Sequence, residues 1–349
     1  MNDKQLIRTL SPDTLKNWLA EHKEKPFRAQ QIMSWLWQKD VHAIDDMTNI
    51  PETLRLKLQQ SFIWDRTQLL SFQLSSDKTI KAVFKLYDDA IIEGVIIPSD
   101  KRMTACISTQ AGCPVKCVFC ATGQLKFIRN LSAGEIVDQV VDLNQLSQER
   151  FGKGLTNVVI MGMGEPLLNM ENTIMAIKKI TSDEGLRWSP RRITLSTVGI
   201  PEGIIRLANE HLGVNLAISL HSAIQEKREK LIPFAKKYSL VDLQTALKQY
   251  TYFTHQKITI EYLMLQDMND SITDATALSH FASQINAKIN LIPFNPIDHC
   301  NLQPSSAIKI EEFMSFFKYK NFTVRLRKGR GVDIDAACGQ LANKFLKDV

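Results

Sequence analysis

Apolar residues return every three or four positions through DTLKNWLAEH and RAQQIMSWLW, the spacing of one helical face. Pro26 and Pro51 punctuate these runs, so residues 1–60 read as a small helical accessory unit. The pattern then changes. TQLLSFQLS, TIKAVFKLY and AIIEGVII read as short strands with turns at SSDK and YDD, which makes residues 61–98 a β-rich connection. Beyond residue 99 a regular alternation sets in. TACIST, NVVIMG, RITLST, NLAISL, ITIEYLML and INLIPF are strand-like, and helical patterns separate them. The clearest helix is SAGEIVDQVVDLNQL, opened by Ser132 and Glu135 in capping-box spacing. Strands alternating with helices predict βα units around a parallel sheet. Six units fit an α/β fold of the partial (βα)6 barrel type over residues 99–330, followed by a C-terminal segment, 331–349. A doubly wound sheet competes with it, and periodicity does not separate the two.

Composition adds little to this. The chain has 349 residues, 44% of them apolar and 8% aromatic, enough for one large domain and a small one. The net charge of +6 is a mild bias toward a polyanionic partner. MNDKQLIRTLSPDTLK lacks the apolar core of a signal peptide, and no run reaches membrane-spanning length. The expected location is the cytoplasm, with no membrane partner, where thiols stay reduced. Six cysteines there point to metal binding or catalysis before structural disulfides.

Four of those six fall within CISTQAGCPVKCVFC. Cys113, Cys117 and Cys120 form CxxxCxxC just after the first barrel strand, and barrel chemistry is carried by loops at that end of the strands. Three thiolates in one short loop can ligate three irons of a [4Fe–4S] cluster and leave the fourth iron open. A structural zinc site wants a fourth ligand at a second CxxC or CxxH spacing, and neither occurs. Phe119, between the last two cysteines, would shield such a cluster from water.

CxxxCxxC with an aromatic before its last cysteine resembles the radical S-adenosylmethionine superfamily. VVIMGMGEPLLN, SPRRITLSTVGI, LAISLHSA, INLIPFNP and GVDIDAACGQL, in that order, resemble the RlmN group of RNA adenine methyltransferases, and the likeness runs over nearly the whole chain. The resemblance implies that the open iron binds S-adenosylmethionine, which is split to a 5′-deoxyadenosyl radical. Carbon 2 of adenine is electron-poor and does not attack a sulfonium, so a cofactor must carry a radical route.

The resemblance also implies roles for single residues. Cys338 in DAACGQL matches the methyl-accepting cysteine, where a low-pKa thiolate suits displacement and an S-methylcysteine intermediate follows. Cys106 matches the resolving thiol, which forms a transient disulfide with Cys338 as product leaves. Glu93 in IIEGVIIP matches the general base that removes the carbon-2 proton; taken alone it reads as an exposed strand carboxylate. Gly164 and Glu165 of GMGE, Ser196, Ser219, Leu220, His221 and Asn295 match the cofactor site. Cys300, beside His299, matches nothing and reads as an incidental loop thiol.

A target base must be splayed from its stack, so recognition rests on phosphate neutralisation and stacking. HKEKPFRAQQ, KFIRN and KYKNFTVRLRKGRG are the basic candidates, the last carrying Lys318, Lys320, Arg325, Arg327, Lys328 and Arg330. The implied substrates are 23S ribosomal RNA and the tRNA adenosine 3′ of the anticodon. A flavodoxin- or ferredoxin-type electron donor and a monomeric state go with them. Two rivals stand. A Cfr-like enzyme methylates carbon 8 instead, and Pro166 after the Glu favours carbon 2. A non-enzymatic RNA-binding protein would keep the cluster as a staple but would have no need of Cys106 or Cys338.

Overall fold

The computed structural model describes residues 4–38, 43–64, 66–298 and 300–342. A short parallel ribbon, β1 (Gln5–Leu6) with β2 (Phe62–Ile63), ties the two ends of the helical unit together. Between them lie α1 (Pro12–Glu21), α2 (Arg28–Trp37) and α3 (Glu52–Ser61). Helix α1 starts where the Ser11 hydroxyl accepts from the Thr14 N–H, with Pro12 at the first helical position. Leu15, Leu19, Ile32, Leu36, Leu54 and Leu58 are the three- and four-spaced residues, and all are buried.

The unit is anchored to the rest of the protein by charge. Arg8 meets Asp138 through two bonds of 2.5 and 2.8 Å. Arg66 reaches Asp138 and Asp142, each at 2.6 Å. The Thr67 N–H also donates to Asp138.

Strands β3 (Gln68–Leu74), β4 (Ile80–Lys85) and β5 (Ile91–Ser99) form an antiparallel meander. It joins the main sheet where β5 pairs with β6 (Arg102–Ile107). The ribbon β7 (Gln110–Ala111) and β8 (Arg129–Asn130) brackets the cysteine loop and the short helix α4 (Ala121–Gln124). Helix α5 (Ala133–Phe151) carries the capping box expected at Ser132 and Glu135, with bonds of 3.1 and 2.8 Å. The alternation continues through β9 (Asn157–Ile160), α6 (Met170–Thr181), β10 (Ile193–Thr197), α7 (Pro201–Asn209), β11 (Asn215–Ser219), α8 (Gln225–Leu231) and α9 (Leu240–Thr254). It ends with β12 (Ile258–Met264), α10 (Ile272–Ser283), β13 (Ala287–Pro293), α11 (Ala307–Tyr319) and β14 (Val324–Leu326).

The ten-stranded sheet runs β14-β13-β12-β11-β10-β9-β6-β5-β4-β3. From β6 to β14 the strands are parallel and follow chain order without reversal. A doubly wound sheet reverses its strand order at a switch point, so the open barrel is the arrangement formed. Its strands are buried on both faces, and all of β12 is buried. Strand β14 lies within FTVRLR, where Arg325 and Leu326 are exposed at the sheet edge. Among the described residues, no helix is long and apolar enough to cross a membrane.

Candidate active site

The sheet curls around a cleft lined by residues of β9 to β13, the cysteine loop and the Cys338 segment. Cys113, Cys117 and Cys120 stand on one wall of it. Their loop is shaped by its own backbone: the Cys120 N–H donates to Cys117 O at 3.2 Å, and Gly123 N–H to Cys120 O at 3.0 Å. A Cβ at Gly123 would lie 2.7 Å from Cys117 O, so the turn requires glycine. The Val118 N–H donates to Leu231 O at 3.1 Å, which seats the loop on the end of α8. Cys300 Sγ donates to Val118 O at 3.4 Å, and His299 lies outside the described residues.

Burial pushes the Cys113 thiol up to about 12 and Cys117 well above its ordinary value, and neighbouring thiols add to both. Three crowded thiols of this kind call for a cationic partner that holds them ionised. Among the described residues, no three Cys, His, Asp or Glu side chains converge on a single-ion site. Three thiols in one loop are the donor set of a [4Fe–4S] cluster, which takes one thiolate on each of three irons. A zinc site gathers all its ligands on one ion.

Opposite the loop are the strand ends. Gly164 has φ +102 and a Cβ there would meet Gln110 N at 2.8 Å, so the backbone turns in a space no other residue fits. Glu165 accepts from Leu167 N at 3.0 Å and Val198 N at 2.8 Å. Burial raises its carboxyl to about 7, against the pull of Val198, Thr197 and Leu167. Ser196 and Ser219 hydroxyls lie 3.3 Å apart. His221 accepts at Nδ1 from Leu263 N, which puts its proton on Nε2. Burial, with Arg228 nearby, lowers it to about 3, so it is a neutral donor. Its ring meets Phe119 edge-on at 4.7 Å. Leu220 is fully buried in the core and offers only its backbone; Arg228 Nη1 donates to its carbonyl. Arg228 also donates to the carbonyls of Ser219 and Val198, pinning two strand ends.

Cys106 and Cys338 arrive from distant parts of the chain. Cys106 closes β6 and is buried, its thiol pushed up to about 12 by burial and by the nearby Cys338. Cys338 opens onto the cleft; its surroundings raise the thiol, and Arg327 partly offsets this. Arg327 had read as a phosphate-binding residue. Instead it turns inward, with Nη1 3.5 Å from Met161 Sδ and 3.8 Å from Glu261 Oε2. Arg129 of KFIRN is likewise engaged, bridging Asp88 and Glu135 over the Tyr87 ring.

Glu93 is fully buried, not exposed. Gly94 faces α5, where its Cβ would meet Leu143, so Glu93 faces the other way, under the C-terminal segment. Its Oε2 accepts from Ala342 N at 2.9 Å, and Lys81 Nζ lies 3.7 Å from Oε1. It does not line the cleft. Asn295 holds the same segment, donating to Cys338 O at 3.2 Å. The structure therefore gathers Cys338, the three-cysteine loop, Glu165, Ser196, Ser219 and His221 about one cleft, with Cys106 buried near Cys338. Leu220, Glu93 and Asn295 support it from behind. Sequence reasoning missed Arg228 and Glu261, and named Arg327 only as an RNA contact. A carboxylate inside the apolar run ITIEYLML was the available signal for Glu261; Arg228 sits in the charged QEKREKL and gave none.

Residues 7–63 match the ribosomal RNA large subunit methyltransferase N-terminal domain, and residues 107–274 match the radical SAM superfamily. The chain is 43% identical over 342 residues to a probable dual-specificity RNA methyltransferase RlmN of Flavobacterium johnsoniae, covering 98% of each. It is 44% identical to the protein of that name from Christiangramia forsetii, covering 98% of this chain and 97% of the other. The crystal structure of a radical SAM methyltransferase from Sphaerobacter thermophilus superposes with a TM-score of 0.89 at 36% identity, over 97% of this chain and 99% of that one.

Proposed function

Because the chain belongs to the RlmN family of dual-specificity RNA methyltransferases, built on the radical S-adenosylmethionine fold, we propose that it methylates carbon 2 of adenosine in 23S ribosomal RNA and in tRNA through a methylated Cys338. The observation that supports this reading is that Cys338, far along the chain, opens onto the same cleft as the three-cysteine loop, with Cys106 buried nearby. A cluster serving as a structural staple needs neither thiol.

Cys113, Cys117 and Cys120 hold the [4Fe–4S] cluster. When bound, the cluster supplies the electron that splits S-adenosylmethionine and starts the radical chemistry. Glu165 accepts from the cofactor's ammonium group, which restores the carboxylate that burial disfavours. Ser196, Ser219 and the Nε2–H of His221 supply short, fixed polar contacts, and Asn295 sets the height of the Cys338 loop. Cys338 carries the methyl group and then the RNA. Cys106 attacks the Cys338 sulfur to release product, leaving a disulfide that reductant resets. Glu93 takes the carbon-2 proton. It is covered by Ala342 in the structure, so RNA entry must lift the 338–342 segment to reach it.

The test uses anaerobically reconstituted protein, methyl-deuterated S-adenosylmethionine, reductant and protein-free ribosomal RNA, read by nucleoside mass spectrometry. A 2-methyladenosine with two deuterons in its methyl group is expected. A trideuterated methyl overturns the Cys338 route, and label on carbon 8 overturns the regiochemistry.

A further inference from the structure

Glu261 sits in the middle of β12, 4% exposed, in a run of apolar neighbours. It lies level with Ser219 on one side and Asn290 on the other, and its side chain lines the cleft. One oxygen is satisfied: Asn290 Nδ2 donates to Oε1 at 2.9 Å. The other, Oε2, is buried and has no hydrogen-bond partner among the described residues. Arg327 lies 3.8 Å away, near enough to balance charge and too far to bond. Leaving a buried carboxylate oxygen unmade is costly. The cost is removed by a ligand that brings a donor.

The reading above puts two such ligands in this cleft, and both are adenosines: the cofactor and the target nucleotide. Each offers a 6-amino group and at least one ribose hydroxyl as donors, two hydroxyls on the cofactor and the 2′-hydroxyl on the target nucleotide. We propose that Glu261, oriented by Asn290 and charge-balanced by Arg327, is a binding residue that accepts a hydrogen bond from an adenosine in the cleft through Oε2. The inference rests on the proposed function for the identity of the ligands. The geometry of the unfilled oxygen stands independently of it.

The experiment uses Glu261→Gln in the reconstituted holoenzyme. The amide keeps the volume, and its oxygen accepts from Asn290 as before. It then aims an NH2 at the ligand's donor. Two arms are read. One is calorimetric binding of S-adenosylhomocysteine without reductant; the other is KM for ribosomal RNA under turnover. At least tenfold weaker S-adenosylhomocysteine binding with KM for RNA unchanged supports the proposal with the cofactor as source. Unchanged S-adenosylhomocysteine binding with KM raised tenfold or more supports it with the target as source. If neither changes, the oxygen is served by buried water and the proposal is overturned. Should Glu261→Gln fail to fold, Asn290→Ala frees the orienting bond and is expected to weaken the same arm about threefold; no weakening in either arm overturns the proposal. Because S-adenosylhomocysteine binding involves no turnover, this arm can fail while carbon-2 methylation stands, and the reverse.

Discussion

The two cysteine-bearing regions of the cleft are built in opposite ways. The loop of Cys113, Cys117 and Cys120 is held by backbone bonds, within itself and from Val118 N–H to Leu231 O, by Gly123 and by an apolar bed that includes Val115, Leu231, Leu263 and Phe294. The segment around Cys338 combines local turns with bonds to distant parts of the chain. Asn295 and Pro296 hold Cys338 and Gln340, Thr122 holds Leu341, and Glu93 holds Ala342. Further back, Ser75, Ser76 and Asp77 of the β3–β4 turn hold Asp333 and Gly331. One region is a seat and the other a clasp. Single side-chain bonds of about 1 kcal/mol each release more readily than a packed turn.

The largest effects separate the two regions outright. Cys117→Ala is expected to lose both cluster iron and methylation, whereas Cys338→Ala loses methylation below detection and keeps its iron. A Cys338→Ala protein without iron would break the comparison. Next comes pH. Burial, opposed by Val198, Thr197 and Leu167, holds the Glu165 carboxyl at about 7. An ammonium ligand needs it ionised, so affinity for S-adenosylhomocysteine is present above pH 7 and falls up to about tenfold per unit as pH drops below it. A raised carboxyl gives the free protein the opposite slope: this contribution to stability is present below the ordinary carboxyl range and lost as pH rises through 7. Titration calorimetry at several pH values checks the first, and Glu165→Gln should flatten both.

Smaller changes sharpen the contrast. Gly123→Ala forces a Cβ against Cys117 O and is expected to cost about 1–3 kcal/mol in denaturant unfolding of the cluster-free protein, with poorer iron uptake. Thr122→Val removes the bond to Leu341 O and is expected to cost about 1 kcal/mol or less. Its signature is faster amide exchange confined to the Cys338 segment, with the cysteine loop unchanged; equal acceleration of both would count against a separable clasp.

The same division governs what the sequence disclosed. The seat is legible because its information is local: ligand spacing, glycine placement and the capping box all lie within a few residues of one another. The strand–helix alternation is legible for the same reason. The clasp is not. Glu93 reads as a surface carboxylate because its cover comes from a residue 249 positions away. Arg327 reads as a phosphate contact because a basic run gives no sign that one member turns inward. Arg129 reads as free charge, although Asp88, 41 positions earlier, is waiting for it.

The sheet is also open. Among the described residues β14 and β3 are its edges, and across the gap from β14 toward β6 and β9 it is the Arg327 side chain, not a hydrogen-bonded strand, that meets Met161. A closed ring would oblige a polymer to be threaded by a free end or admitted at one mouth. A vessel with a side seam can take a long strand broadside, with chain continuing away in both directions, and let it go the same way. The missing strand pair leaves such a seam at the β14 edge, crossed by the 331–342 segment.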